Sequence, residues 1–587
     1  MALNSSQVIV LATPVFFALI GAEYAWGIFR KRNTYRLNDA VNSISLGMLS
    51  QITAVLTRLF RVGIYTAVYG VVALWHNDAF WMSWYGWLLA LVFYEFCYYW
   101  LHRMGHESAV LWAAHVVHHQ SQDYNLSTAL RQTSSGALLG WIFYLPMALA
   151  GVPPLVFGIV ALIDLLYQFW VHTEHVPKLG WFDRWFCSPS NHRVHHAVND
   201  GYLDRNYGGV LIVWDRLFGS FCEEGEKCVY GTRAPLESWD PLWSNAEVYW
   251  ALAKDSWHAR NWADKLRVWI KPPGWRPADV AARFPKEAFD IAKVRRYHPP
   301  MSKGLALFTM AQFVALLAGS LMFLWNSEGM PLALSATWLA ALAAGLWAVG
   351  AAMQGRIGML EVLAVECAAL ATATAVHGLP ELHRIFKPAA MGFAILFVAA
   401  RAVSMRLPGL FSSELGAALV FSLAGDWFLL QAGGFIPGLV CFLVAHLCYI
   451  ALFRGGVRWF PSRKALAATL AIAALMYATL FPNLGPVLKV AVAAYAVVIA
   501  LMAGQAIGRA TVVRDKDAVG VAAGACFFML SDSLLAINKF AMPIPLAPLW
   551  VLATYYVAQL LIVHHARPAA AARAAPATRP AALQYPS

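Results

Sequence analysis

The chain has 587 residues, of which 60% are hydrophobic and only 13% charged, a balance far more apolar than that of ordinary soluble domains. This excludes a soluble globular protein and predicts an all-α polytopic membrane protein. The formal net charge of +12 does not point to nucleic acid, because the basic residues fall in short segments between apolar runs, as cytoplasmic loops do.

In chain order, the apolar run from about Gln7 lacks a basic start and a small-residue cleavage site, so it reads as a retained first span. Further runs lie near 8–29, 41–75, 80–101 and 135–170, the last forming a hairpin that turns at Gly151-Val152-Pro153-Pro154. Arg30-Lys31-Arg32 places the loop after the first span in the cytoplasm. With 41–75 as one long, tilted or broken pass, the chain returns to the cytoplasm before His102, and the hairpin returns it there before His172. Two passes instead would put Arg58 and Arg61 outside, against the positive-inside tendency.

Ten of the 18 histidines crowd into fewer than a hundred residues of this half: His102/His106, His115/His118/His119, His172/His175 and His192/His195/His196. Imidazole is the commonest neutral nitrogen ligand for first-row transition metals. One ion rarely takes more than about four or five protein ligands, so this many rings suits two ions. His102-x-x-x-His106 sets two rings one helical turn apart, and His115-x-x-His118-His119 and His192-x-x-His195-His196 are expected to place i, i+3 and i+4 on one face. Arg103, Glu107, Asp123, Arg131 and Arg193 lie nearby as expected orienting partners, with Glu107 and Asp123 as acceptors for ring N–H groups. The eight cysteines show no C-x-x-C pair, so neither a disulfide framework nor a thiolate metal site is expected.

Residues 200–300 hold no full span but place Trp239, Trp243, Trp250, Trp257, Trp262, Trp269 and Trp275 among charges, a composition suited to a headgroup-layer cap over the metal site. Spans then follow near 304–325, 333–353, 357–377, 388–405, 411–430, 435–453, 465–481, 487–505, 519–538 and 547–565. Basic residues recur after alternate spans at Arg356, Arg406, Arg454 to Lys464, and Arg509 to Lys516. The expected organisation is a di-metal domain over 1–300, linking transmembrane helices over 301–355, an eight-span helical bundle over 356–565 and a disordered Ala/Pro/Arg tail over 566–587. Ionisable residues inside spans are costly and mark function. Asp426 and Asp532 stand out, at matching depth in two spans of one direction. His446 and Tyr449 read as packing or headgroup contacts.

The first half resembles the fatty acid hydroxylase/sterol desaturase superfamily, and within it the alkylglycerol monooxygenase family. The resemblance rests on Tyr98-Tyr99-Trp100-Leu101-His102-Arg103-Met104-Gly105-His106-Glu107, the run Asp123 to Gln132, His172-Thr173-Glu174, Pro189 to His196, and Asn206 to Asp215 with Phe218-Gly219. It implies a non-haem diiron monooxygenase with His102, His106, His115, His118, His119, His172, His192, His195 and His196 as ligands to two Fe ions on the cytoplasmic side. His175 departs from the pattern and is left out of the ligand set. The implied reaction uses O2 to hydroxylate the O–CH2 carbon of a glyceryl ether, and the hemiacetal collapses to a fatty aldehyde. No Gly-rich nucleotide fingerprint follows a strand, so two electrons must come from a separate donor. The resemblance suggests tetrahydrobiopterin or another external reductant.

The second half resembles the lysoplasmalogenase (YhhN-like) family through Lys387-Pro388, Phe421-Ser422-Leu423-Ala424-Gly425-Asp426, His446 with Tyr449, Gly524-Ala525 and Ser531-Asp532-Ser533. It implies hydrolysis of the vinyl ether of lysoplasmalogens, with Asp426 and Asp532 as acid and base in either order. The combined expectation is a bifunctional enzyme that degrades ether lipids in the bilayer. The alternatives are a diiron hydroxylase or desaturase of a sterol, carotenoid or acyl lipid with a non-catalytic second half, and a metal transporter or scaffold, whose ligands would lie along spans.

Overall fold

A computed structural model describes residues 5–404 and 409–567. The chain divides after Arg356 into two compact units. Both are helical, and among the described residues only two isolated β-bridges occur, Phe186–Leu211 and Ala197–Tyr230. Among the described residues eleven helices are long and apolar enough to cross a membrane, consistent with a multi-spanning membrane protein. All eight cysteines are free.

In the first unit, helix Ser5–Phe29 is largely apolar apart from the buried Glu23 and has few buried residues, as a lipid-facing span does. Residues 37–72 form one uninterrupted helical run, Leu37–Arg58 and Ile64–Val72 joined through a π-helical turn at Leu59–Gly63. Its first turns bury Asn38, Asp39, Asn42 and Ser43, so this helix turns a polar face inward where a neighbour must satisfy it. Ser83 caps helix Trp84–Glu107, its Oγ accepting from the Gly86 amide at 3.1 Å.

The hairpin expected over 135–170 is shorter than a pair of full crossings. Its first arm breaks into Gly136–Gly140, a 3-10 turn and Leu145–Leu149. Its second, Pro154–Trp170, has 17 residues, about 25 Å at about 1.5 Å per residue against a hydrocarbon core of about 30 Å. At the turn Gly151 has φ +85°, and the Trp75 carbonyl occupies the space a Cβ would need. Tyr65, Tyr94, Met147, Val156 and Phe157 pack the hairpin onto Trp84–Glu107 and the end of the 37–72 run.

Helices Lys303–Asn326 and Leu332–Met353 belong to this first unit. They pack on Leu37–Arg58 through Phe313, Phe323, Leu346 and Met353 against Val41, Met48 and Ile52. Within 200–300, Asp240 caps helix Pro241–His258, which leads to the short helices Trp262–Ile270 and Ala278–Arg283. Trp250, Trp257 and Trp262 are exposed beside Leu266 and Ile270, as an interfacial layer requires. Trp239 departs from that expectation: it is buried in the apolar core, with its carbonyl against Gly350 and accepting from Asn42.

Among the described residues the second unit contains eight α-helices, Met359–Val376, Pro380–Ser404, Gly409–Leu429, Phe435–Arg454, Arg463–Leu480, Pro486–Val513, Lys516–Ala536 and Ala547–His565. Neighbours in sequence pack together, except that Phe435–Arg454 packs on Pro486–Val513 rather than on Arg463–Leu480, and the first helix also packs on the last. From residue 568 the Ala/Pro/Arg-rich segment lies outside the described residues.

Candidate functional site

Nine of the ten clustered histidines converge as two groups. His102, His106, His115, His119 and His195 form one, and His118, His172, His192 and His196 the other. Within each group one ring nitrogen per residue lies within 4.8 Å of all the rest. The local structure explains the division. His102 and His106 end helix Trp84–Glu107, His115 caps the short helix Val116–His119, and His192 and His195 lie on Pro189–His195, whose cap Ser188 accepts from the Asn191 amide.

The expectation that each H-x-x-H-H motif presents one face is corrected. His115 and His119 enter the five-ring group while His118 enters the other. His192 and His196 enter the four-ring group while His195 crosses over. On a helix i and i+4 nearly superpose, whereas i+3 and i+4 point about 100° apart. The ring planes of His118 and His119 are accordingly 87° apart, and those of His195 and His196 89°. Each motif thus bridges the two groups.

The rings fit metal ions. Nε2 atoms of His102 and His115 are 3.1 Å apart, of His115 and His119 3.0 Å, of His118 and His172 3.2 Å, and of His172 and His192 3.1 Å. Two imidazole nitrogens at right angles on a metal, each bonded at about 2.1 Å, stand about 3.0 Å apart. The Nε2 atoms of His106 and His195 are buried without any partner, as coordinating lone pairs would be.

Five of the opposite nitrogens are engaged, while His192 Nδ1 is buried without a partner. His102 Nδ1–H donates to the Tyr207 carbonyl at 2.7 Å, His118 to that of Arg131 at 2.9 Å, His172 to that of Gln168 at 2.8 Å and His195 to that of Arg205 at 2.9 Å; His106 Nδ1 faces Asp204 Oδ1 at 3.3 Å. Such bonds hold the tautomer that leaves Nε2 free to coordinate. Asp204 and Asn206 take positive φ in the stretch that presents the Arg205 and Tyr207 carbonyls. Burial, reinforced by neighbouring rings, holds His115, His119, His172, His192, His195 and His196 well below the ordinary imidazole range, and burial lowers His118 to about 4. At neutral pH these are uncharged donors, the form a metal binds.

Glu107 and Asp123 do not accept from rings. Glu107 pairs with Arg103 at 2.8 Å, and Asp123 with Arg36 at 2.7 Å and Arg296 at 3.5 Å. The carboxylate at a ring is Asp204, which sequence reasoning missed because it lies 98 residues from His106. Arg131 acts through its scaffold: fully buried, it donates to Val117, Asn42 and Gln120 while its own carbonyl holds His118. Arg193 pairs with Glu224 through two 2.7 Å bonds and with the Thr173 and Val176 carbonyls. His175 stands outside both groups, with its Nε2 beside Gly27. Helix Pro241–His258 is clamped over the 116–135 segment, where the Ser244 carbonyl accepts from Gln120, Asn245 Oδ1 accepts from the Ser134 amide, and Tyr249 bonds Ser135.

In the second unit, Asp426 and Asp532 each sit in a polar cluster. Asp426 pairs with Lys387 at 3.3 Å and accepts from Tyr555 at 2.6 Å, and Tyr555 is followed by Gln559 and Tyr449. Asp532 accepts from Tyr495 and lies 3.4 Å from His446 Nε2, which also meets the Tyr495 hydroxyl at 2.9 Å. The Phe528 ring touches both clusters, 4.7 Å from His446 and 5.5 Å from Tyr555. His446 and Tyr449, expected as packing or headgroup contacts, are therefore members of the polar networks. The environments differ: the Asp426 side chain is 2% exposed and that of Asp532 18%. Asp532 opens on an apolar cavity of about 60 Å³ lined by Ile472, Met476, Tyr495, Ile499 and Met529. Arg401 and Glu361 serve helix ends, Arg401 on the Val563 and Ala566 carbonyls and Glu361 on the Gly358 amide and His564.

Comparison with known proteins divides the chain in the same way. The fatty acid hydroxylase family matches residues 87–220, and the YhhN family residues 382–566. Alkylglycerol monooxygenase of Homo sapiens is 37% identical over 310 residues, 52% of this chain and 69% of that protein, and its Xenopus tropicalis counterpart is 38% identical over 316 residues, 52% and 68%. Lysoplasmalogenase TMEM86A of Homo sapiens is 34% identical over 172 residues, 28% of this chain and 70% of that protein. No solved structure matches the chain.

Proposed function

Because the chain belongs to the fatty acid hydroxylase family with the alkylglycerol monooxygenases in its first half, and to the YhhN family with the lysoplasmalogenases in its second, we propose that it is a bifunctional membrane enzyme that degrades ether lipids. The observation that carries the first activity is the convergence of nine imidazoles into two adjacent groups with right-angle nitrogen spacings. His102, His106, His115, His119 and His195 would hold one iron, and His118, His172, His192 and His196 the other. Bound there, the pair of irons supplies O2 activation. The protein's residues orient the rings through the carbonyls of Tyr207, Arg131, Gln168 and Arg205, and buried side chains exclude bulk water.

The O–CH2 carbon of a glyceryl ether takes one oxygen atom, the second leaves as water with two electrons and two protons, and the hemiacetal breaks to an aldehyde and an alcohol. The electrons come from a separate donor, tetrahydrobiopterin or another external reductant. These ligands sit on loop helices and one helix end rather than along a span, which favours an enzyme over a transporter. The basic segments favour a centre on the cytoplasmic side.

For the second activity, Asp532 is the carboxyl that meets the apolar cavity, so it delivers the proton to the vinyl carbon. Asp426, paired with Lys387 and Tyr555, directs water to the resulting oxocarbenium ion. The test is turnover of saturated and vinyl ether lipids by the full chain, with and without O2. Saturated ethers should require O2 and reductant, and vinyl ethers of lysoplasmalogens should release aldehyde without either. Oxygen-independent cleavage of saturated ethers would refute the oxygenase assignment.

A further inference from the structure

Two acids that the metal groups leave unused, Glu95 and Asp164, are buried face to face between helices Trp84–Glu107 and Pro154–Trp170, at 0% and 2% exposure and within hydrogen-bonding reach of one another. Glu95 Oε2 accepts from the amides of Val210 at 2.6 Å and Leu211 at 3.1 Å, and Asp164 Oδ2 accepts from Gln168 Nε2 at 2.7 Å. The remaining oxygens, Glu95 Oε1 and Asp164 Oδ1, have no donor. Among the described residues no lysine, arginine or histidine pairs with either acid, and the groups around them are Tyr94, Tyr98, Tyr144 and Gln168. Gly209 seals the pair, since a Cβ there would meet Asp164 Oδ1 at 2.5 Å and the Tyr98 ring at 3.1 Å.

Two adjacent buried carboxylates with no protein cation beside them cannot both stay charged, and a single proton between the two orphaned oxygens satisfies both. The two amide donors on Glu95 favour its charged form, which leaves the proton on Asp164. From this pair bonds run to both metal groups. Glu95 holds the 207–211 segment, whose Tyr207 carbonyl orients His102 of the five-ring group. Asp164 holds Gln168, whose carbonyl orients His172 of the four-ring group and whose Oε1 accepts from Tyr98 at 2.8 Å.

We infer that Asp164 and Glu95 are positioning residues that share one proton, and that this neutral-acid–carboxylate latch sets the two metal groups in register. The inference takes from the proposed function only that the rings bind metal. Its chemistry makes Asp164→Asn a faithful substitute, because the amide can donate to Glu95 Oε1 while its carbonyl still accepts from Gln168. Glu95→Gln is not, because its amide can donate to Asp164 only once Asp164 gives up the proton, which moves the charge from the carboxyl held by two backbone amides to one held by Gln168 alone.

The experiment compares the full-length protein with Asp164→Asn, Asp164→Leu and Glu95→Gln by infrared difference spectroscopy, iron content after titration with Fe(II), and turnover. Wild type minus Asp164→Asn should contain a protonated-carboxyl C=O stretch, with iron content and turnover of that variant within about twofold of wild type; Asp164→Leu and Glu95→Gln should weaken iron retention by about 10-fold or more. Absence of the stretch, or a Glu95→Gln protein that melts higher than wild type, would mean that both acids are charged and would overturn the inference. Asp164→Asn with full iron but lost turnover would also overturn it, since the proton would then be consumed rather than hold a bond. A wild type that binds no iron but shows the stretch would sink the metal assignment while leaving the shared proton standing.

Discussion

The two halves solve the same problem, placing polar chemistry in an apolar chain, in opposite ways. The first gathers imidazole rings on helix ends and loops and aims four of them with backbone carbonyls, so those rings are buried with a hydrogen bond made. The second places ionisable groups within long helices and surrounds each with polar partners, Lys387 and Tyr555 at Asp426, His446 and Tyr495 at Asp532. A site of neutral ligands tolerates burial but needs many partners at accurate angles. A site of buried charge needs few partners but fails when one is removed.

The largest effect that would test this contrast is loss of a ring. His118→Ala should lower oxygen consumption with an alkylglycerol by more than about 100-fold and reduce iron per chain, since it removes a ligand rather than the outer-shell partner whose loss costs about 10–100-fold. Aldehyde release from lysoplasmalogen should be unchanged, and loss of both activities together would break the division into two sites. Asp532→Asn is its mirror image. It should cut lysoplasmalogen hydrolysis by about 100- to 10,000-fold, the range of a positioned acid or base, with oxygen uptake intact by electrode; an unchanged rate would remove Asp532 from the reaction.

Lys387→Met leaves Asp426 buried at 2% exposure without its cation and should destabilise by about 3–5 kcal/mol. Much of this should return in Lys387→Met/Asp426→Asn, as read by thermal unfolding of the full chain. If the single variant melts like wild type, the pairing contributes nothing. The smallest effect is expected at Asp204, which is half exposed and faces His106. Asp204→Asn should weaken Fe(II) binding by about 10-fold while leaving the fold unchanged, and a larger loss would make Asp204 more than an orienting partner.

Much of the fold was legible in the sequence because apolar runs and turn residues are local signals. Most helices of the second unit begin and end near the expected bounds, although Pro380–Ser404 starts eight residues before the expected 388 and Pro486–Val513 ends eight residues past the expected 505, and Gly151 marks the hairpin turn. The break in the hairpin's first arm was not legible, since a 3-10 turn at Trp141–Tyr144 interrupts a run that hydropathy alone reads as continuous. Nor was the burial of Trp239, which a tryptophan-rich composition assigned to the interface. At the candidate site the residue types were readable and their partners were not.

The sequence by itself determined the chemical inventory and the i, i+4 histidine pairs, because rings one turn apart stay together by helix geometry alone. Tertiary structure decided which pairs share a centre, which carbonyls aim them, and which acids face one another. The acceptor of His102 lies 105 residues away at Tyr207 and is a backbone oxygen that any residue supplies, while Tyr555 reaches Asp426 across 129 residues. Such contacts leave no periodicity or spacing in the chain; they exist only once packing has brought distant segments within about 3 Å.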